Sequence, residues 1–125
     1  MKKIIFILFF ILITSPLLAH DPWTTQDTIL QTVTIGTIAI DAWQTYTFLY
    51  TGDYRKQGYY ETNPILGKYP SKQRFFAYQG SCMILHTTIS YILPKPYRTF
   101  WQFIWIGIES DYIYHNYSCG VRIKF

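Results

Sequence analysis

Charge is scarce in this chain: only 14% of its 125 residues are Asp, Glu, Lys or Arg, against roughly 25% in soluble domains. A glycine-rich phosphate loop, a serine elbow of the hydrolase type, a paired cysteine motif and a histidine pair at zinc spacing are all missing from the sequence. Their absence removes the motif-bearing nucleotide-binding, hydrolase and zinc classes. The two cysteines fall in the middle of one helical segment (Cys82) and beyond the end of another (Cys119), at depths differing by roughly 15 Å or more, so no disulfide is expected. No cofactor is implied, and the net charge of +4, which counts Lys2 and Lys3 near the N-terminus, gives no support for nucleic-acid binding.

What is present is apolar and aromatic. Half the residues are hydrophobic and a fifth are aromatic, twelve of them tyrosine. Mean hydropathy is only +0.06, because Tyr, Thr and Gln are interspersed through the apolar stretches. The length allows one compact unit.

At the N-terminus, Lys2 and Lys3 precede an apolar run from Ile4 to Ile13, followed by Pro16 and the small residue Ala19. This order of charged region, short apolar region and small residue predicts a secretory signal peptide over residues 1–19. Leu17 is large for its place before the cleavage site, so retention as an uncleaved anchor is the alternative. Residues 20–125 then form a single membrane domain.

Punctuation divides that domain into three helices. The first is predicted over about 24–50, opened by Asp21-Pro22 and closed by Thr51-Gly52-Asp53. The second starts after Ser71, a candidate N-cap, and ends at Leu93 before Pro94-Lys95-Pro96. The third covers about 97–117, antiparallel to the second. Each reaches the roughly 20 residues needed to cross a hydrocarbon core. The predicted fold is therefore all-α, a signal peptide followed by a three-helix antiparallel transmembrane bundle.

Arg55, Lys56, Lys68, Lys72, Arg74, Arg122 and Lys124 gather at one end, while the other offers only Lys95 and Arg98. By the positive-inside rule the first end is cytoplasmic and the mature N-terminus periplasmic, in a bacterial inner membrane. Trp23, Tyr50, Tyr97 and Tyr117 lie near segment ends, where interfacial aromatics sit.

Each segment carries ionisable or amide residues: Asp41 and Gln44, then Gln79 and His86, then Gln102 and Glu109. Spacings of three, four and seven place them on stripes: Asp27, Gln31, Thr34, Asp41, Gln44 and Thr45 on the first helix; Gln79, Cys82, His86 and Ser90 on the second; Gln102, Trp105, Glu109, Tyr112 and Asn116 on the third. Lipid cannot satisfy such groups, so the stripes should face one another. At about 1.5 Å of rise per residue, Asp41, Glu109 and Gln79 lie about 10–13 Å deep, and His86 lies near 21 Å with Gln102 and Thr37. A carboxylate pair of Asp41 and Glu109 bridged by Gln79 is expected, with His86 above it. Two buried carboxylates at one level imply a shared proton, a bound cation or a displaced side chain. Against this stands interhelical hydrogen bonding that merely fixes register, the simpler account of Gln44, Gln79, Gln102 and His86. Asp111 and His115, near a helix end, read as solvated.

The connection between the first two helices holds Glu61-Thr62-Asn63-Pro64-Ile65-Leu66-Gly67. Ile65 and Leu66 should fold back on the bundle. Glu61 and Asn63 then either close the cytoplasmic mouth of the polar stripe or satisfy backbone amides in a local turn. Asp41 with Gln44-Thr45, this string, Pro70-Ser71 and His86 together resemble a set of small helical membrane proteins of bacteria and their phages. The likeness covers about residues 41–93. It implies a membrane bundle and carries no assigned activity.

The functional expectation is a small integral membrane protein with a structural or partner-binding role in a larger membrane assembly. Its partners would be membrane lipid and either a second copy or another membrane protein, through Gly36, Gly80 and Gly107, one per helix. The alternative is a polar-core protein that binds a cation or moves protons through Asp41 and Glu109, with Glu61 nearby and enzymatic use of His86 left open. A soluble periplasmic helical domain is a third reading.

Overall fold

Thr24 starts the first helix by supplying the group that a helix N-terminus lacks: its hydroxyl accepts the Asp27 amide at 3.3 Å, while the Asp27 carboxylate accepts the Thr24 amide at 2.8 Å. From that reciprocal cap, α1 runs over Thr25–Tyr50. A computed structural model of the chain describes residues 21–51 and 53–122; the signal peptide expected over residues 1–19 lies outside the described residues. Among them the chain is all-α, with no strand.

A short helix that the sequence did not signal, α2 (Asp53–Lys56), follows α1. Next, α3 spans Lys72–Ile92, capped as expected by Ser71, whose hydroxyl accepts the Arg74 amide at 3.2 Å. Pro94 ends it. The last helix, α4 (Lys95–Ser118), begins two residues earlier than predicted. Pro96 falls in its first turn, where a missing amide proton leaves no bond unmade, so the proline starts the helix and does not delay it. Beyond α4, Gly120 adopts φ +92°, a backbone conformation that favours glycine. This reversal lets the Val121 amide bond the Asn116 carbonyl at 3.0 Å and returns Val121 to the interior.

Cross-helix hydrogen bonds define the topology. Asp27 meets Arg98, Gln31 meets Gln102 and Gln44 meets Asn116, a near-constant offset of 71 or 72 residues. Constant offset means parallel helices, so α1 and α4 run side by side in one direction and form the principal helix pair, with α3 lying against them more lightly. Sequence neighbours are antiparallel, as expected, but the dominant contact joins two helices that are not neighbours in sequence.

Burial is inverted. An apolar cluster, Phe48, Leu49, Leu66, Phe75 and Val121, sits where the 57–71 connection and the C-terminal turn meet the bundle. Leu66 folds back as expected, whereas Ile65 stays exposed. Along the rest of the bundle the buried side chains are chiefly polar, including Asp27, Gln31, Thr34, His86, Arg98 and Gln102, while Ile84 (71%), Phe100 (66%) and Leu85 (61%) are exposed.

Taken one at a time, no helix among the described residues is long and apolar enough to cross a membrane. This corrects the expectation that each segment would qualify alone. At 26, 21 and 24 residues α1, α3 and α4 have the length. Their apolarity falls short because the inward Asp, Gln, Thr and Arg side chains, and the many tyrosines, lower the mean.

Candidate functional site

Asp41, two turns from the end of α1, lines a cleft of about 1090 Å³ bounded by α1, α3, α4 and the 57–66 connection. Glu109 on α4, Gln79 on α3, and Glu61 and Asn63 of the connection line the same cleft. Helical periodicity brings the first three inward, and the connection is held over them by a local turn. There the Asn63 amide donates to the Glu61 carboxylate at 2.8 Å, and the Ile65 amide donates to the Asn63 side-chain oxygen at 2.9 Å. Gly67, at φ +79°, completes the turn by donating its amide to the Asn63 carbonyl at 2.9 Å. The side-chain amide of Asn63 donates to the Tyr78 hydroxyl at 2.8 Å and ties the turn to α3. Glu61 and Asn63 thus make the local turn and line the cleft at once, so the two readings of this string are compatible.

The two central carboxylates differ in their partners. Asp41 accepts a 2.9 Å hydrogen bond from Asn116, whose side-chain amide also reaches Gln44 at 3.4 Å. Gln44 in turn donates to the Ile113 carbonyl at 3.4 Å. Glu109 is only 8% exposed, and among the described residues it has neither hydrogen bond nor ion pair. The expected bridge through Gln79 is not made: Gln79 is half-buried on the cleft wall, and Asn116 takes the position on Asp41. Asp111 also lines the cleft, and no Lys or Arg among the described residues does.

His86 lies outside this cleft, in a layer of its own. Gln31 donates its side-chain amide to His86 Nδ1 at 3.2 Å and to the Thr87 hydroxyl at 2.9 Å, and accepts from Gln102 at 3.3 Å. With Nδ1 accepting, the neutral ring carries its proton on Nε2. Trp101 stacks on the imidazole at 5.5 Å between centroids and Trp105 meets it edge-on at 5.5 Å. The level shared with Gln102 is the expected one, but Gln31 replaces Thr37, whose hydroxyl bonds within its own helix to the Thr34 carbonyl. Among the described residues, no group of three or more His, Cys, Asp or Glu side chains could hold a metal ion.

Sequence reasoning missed the strongest polar contact. Arg98, counted with Lys95 among the charges of the proline-turn end, is fully buried and donates to Asp27 at 2.9 Å. It also donates to the carbonyls of Ser90 and Asp21, at 2.9 and 3.0 Å, and its guanidinium lies 5.0 Å from the Trp23 ring centre. The signal was available: Arg98 stands four residues before Gln102 on the same stripe, and Asp27 opens the facing one. Cys82 and Cys119 are both free. No known protein family, curated protein or solved structure matches this chain.

Proposed function

We propose that this chain is a small integral membrane protein, a three-helix unit embedded in a bilayer and serving a structural or partner-binding role in a membrane assembly. One observation carries the reading: polar and charged side chains fill the interior while large apolar ones cover the outside. In water that arrangement exposes apolar area and buries hydrogen-bonding groups, two costs with no return. In lipid both terms change sign. No single helix among the described residues is apolar enough to cross alone, but a bundle whose polar groups satisfy one another presents only its outer face to the acyl chains.

Charge supports the orientation. Arg98 is buried against Asp27, which leaves Lys95 as the exposed cation at the proline-turn end, while Arg55, Lys56, Lys68, Lys72, Arg74 and Arg122 are exposed at the other. The cation-rich end is then cytoplasmic, and the bilayer of this proposal is a bacterial inner membrane. Gly36, Gly80 and Gly107 each face open space, which leaves room for a partner helix. Alkaline carbonate extraction of membranes from expressing cells is the test: the protein should stay in the pellet, and release into the supernatant overturns the reading in favour of a peripheral or soluble helical domain.

The cleft favours a second role in the same bilayer setting. Asp41, Glu61, Glu109 and Asp111 line a cavity to which no Lys or Arg among the described residues contributes, in a chain whose net charge is +4. Segregating negative charge into one concave site of a basic protein is how a cation is attracted and held. This role is cation binding or proton movement through Asp41 and Glu109.

A further inference from the structure

We propose that the ligand of the cleft is an organic cation, an alkylammonium group, and not a metal ion; this rests on the cation-binding reading of the cleft. Three observations carry it. Glu109 is more than nine-tenths buried, lines the cleft and has no hydrogen bond or ion pair among the described residues. Its carboxylate oxygens are not among the fully enclosed unpaired atoms, so the charge opens onto the cleft, where a ligand that brings a positive charge and N–H or polarised C–H groups pairs with it.

The second observation concerns which cation fits. A calcium site needs six to eight oxygens closing on one point, and a zinc site needs His, Cys or carboxylate ligands in a tight tetrahedron. Among the described residues no group of three or more His, Cys, Asp or Glu side chains could hold a metal. At about 1090 Å³ the cleft is at the upper end of small-molecule sites and far larger than a bare ion requires.

The third is the nature of the walls. Tyr59, Tyr78, Trp105 and Tyr112 line the cleft beside the carboxylates. Aromatic faces attract an ammonium through their quadrupole, and a ring of them with one or two carboxylates is how quaternary and primary amines are recognised. The chain makes this kind of contact with its own cations at the same end: Arg55 lies over Tyr69 at 4.5 Å and Arg122 over Tyr117 at 3.7 Å outside the cleft, and Lys68 lies over Tyr60, a cleft residue, at 5.1 Å. Those tyrosines are served by the chain's own cations. Tyr59, Tyr78, Trp105 and Tyr112, the other Tyr and Trp rings of the cleft, have no such contact among the described residues.

An alkylammonium group reaches this end from a free amine or from the headgroup of an amine-bearing phospholipid, and the test separates the two. Purified full-length protein in phosphatidylglycerol nanodiscs is titrated calorimetrically with tetramethylammonium and putrescine, and separately with sodium, magnesium and calcium. Saturable binding of an amine is expected, weakened about tenfold or more by Glu109→Gln and about two- to fivefold by Tyr112→Leu. Tyr112 is more than half exposed, so its replacement keeps the test sound if the Glu109 variant does not fold. Adding phosphatidylethanolamine to the discs abolishes amine binding if the headgroup is the occupant and leaves it unchanged if a free amine is. Binding of an inorganic cation but of no amine overturns the alkylammonium assignment and leaves the cation reading standing. Binding of neither overturns both.

Discussion

Arg98 donates to groups from three parts of the chain: Asp27 on α1, Asp21 before it, and the Ser90 carbonyl near the end of α3. A buried ion pair adds little over an apolar pair of the same shape, but losing one member leaves an uncompensated charge. Arg98→Met alone should therefore lower the unfolding free energy in detergent by about 3 kcal/mol, the low end of the range because the pair sits near one end of the bundle. Adding Asp27→Asn, whose side-chain oxygen can still accept the Thr24 amide, should recover most of that loss. A denaturant titration of both variants checks the pair, and a single-variant loss below about 0.5 kcal/mol, typical of a solvated pair, contradicts its burial. Asn116 plays the analogous part at the other end, since it partners Asp41 and Gln44 together. The inward facing of Arg98 and Asn116 was legible from helical spacing, but the partner each one meets was not. Stripe membership says which way a side chain faces and not which side chain it meets.

At the scale of elements, the helix limits were readable because their signals are local. Thr24, Ser71 and Pro94 each act within about one turn. The extra helix α2 and the early start of α4 escaped notice: a four-residue helix has no periodicity, and proline reads equally as a stop or as a first turn. The parallel pairing of α1 with α4 gives a direct test. In a background with Cys82→Ala and Cys119→Ala, the pair Gln31→Cys and Gln102→Cys should be joined by a short thiol cross-linker. The pair Gln31→Cys and Asn116→Cys should not, because it lies about 14 residues, or 21 Å of helix, out of register. Cross-linking of the second pair in preference to the first overturns the topology.

For the whole molecule, the inversion of burial makes an optical prediction. Trp43 is 53% exposed on the outside of α1, whereas Trp101 and Trp105 pack on His86. In nanodiscs of lipids brominated along the acyl chains, much of the quenched emission should disappear with Trp43→Phe. If aqueous iodide quenches Trp43 and brominated lipid does not, its surface faces water and the bilayer reading falls. Whether the chain suits a membrane is a property of the assembled bundle. Each helix by itself is too polar, and only when the stripes meet does the polarity leave the surface.

The sequence by itself determined the three long helices, the Ser71 cap and the inward stripes, since these follow from contacts within about four residues along the chain. It also placed Asp41 and Glu109 at one level and His86 at another, because depth is counted along a helix. Tertiary structure alone decided that Asn116 and not Gln79 meets Asp41, that Arg98 is buried on Asp27, and that Glu109 is left without a partner in an aromatic-walled cleft. Those outcomes depend on the register of α1 against α4 and on where the 57–66 connection comes to rest. Both are fixed by packing between residues far apart in the chain, which no local spacing encodes.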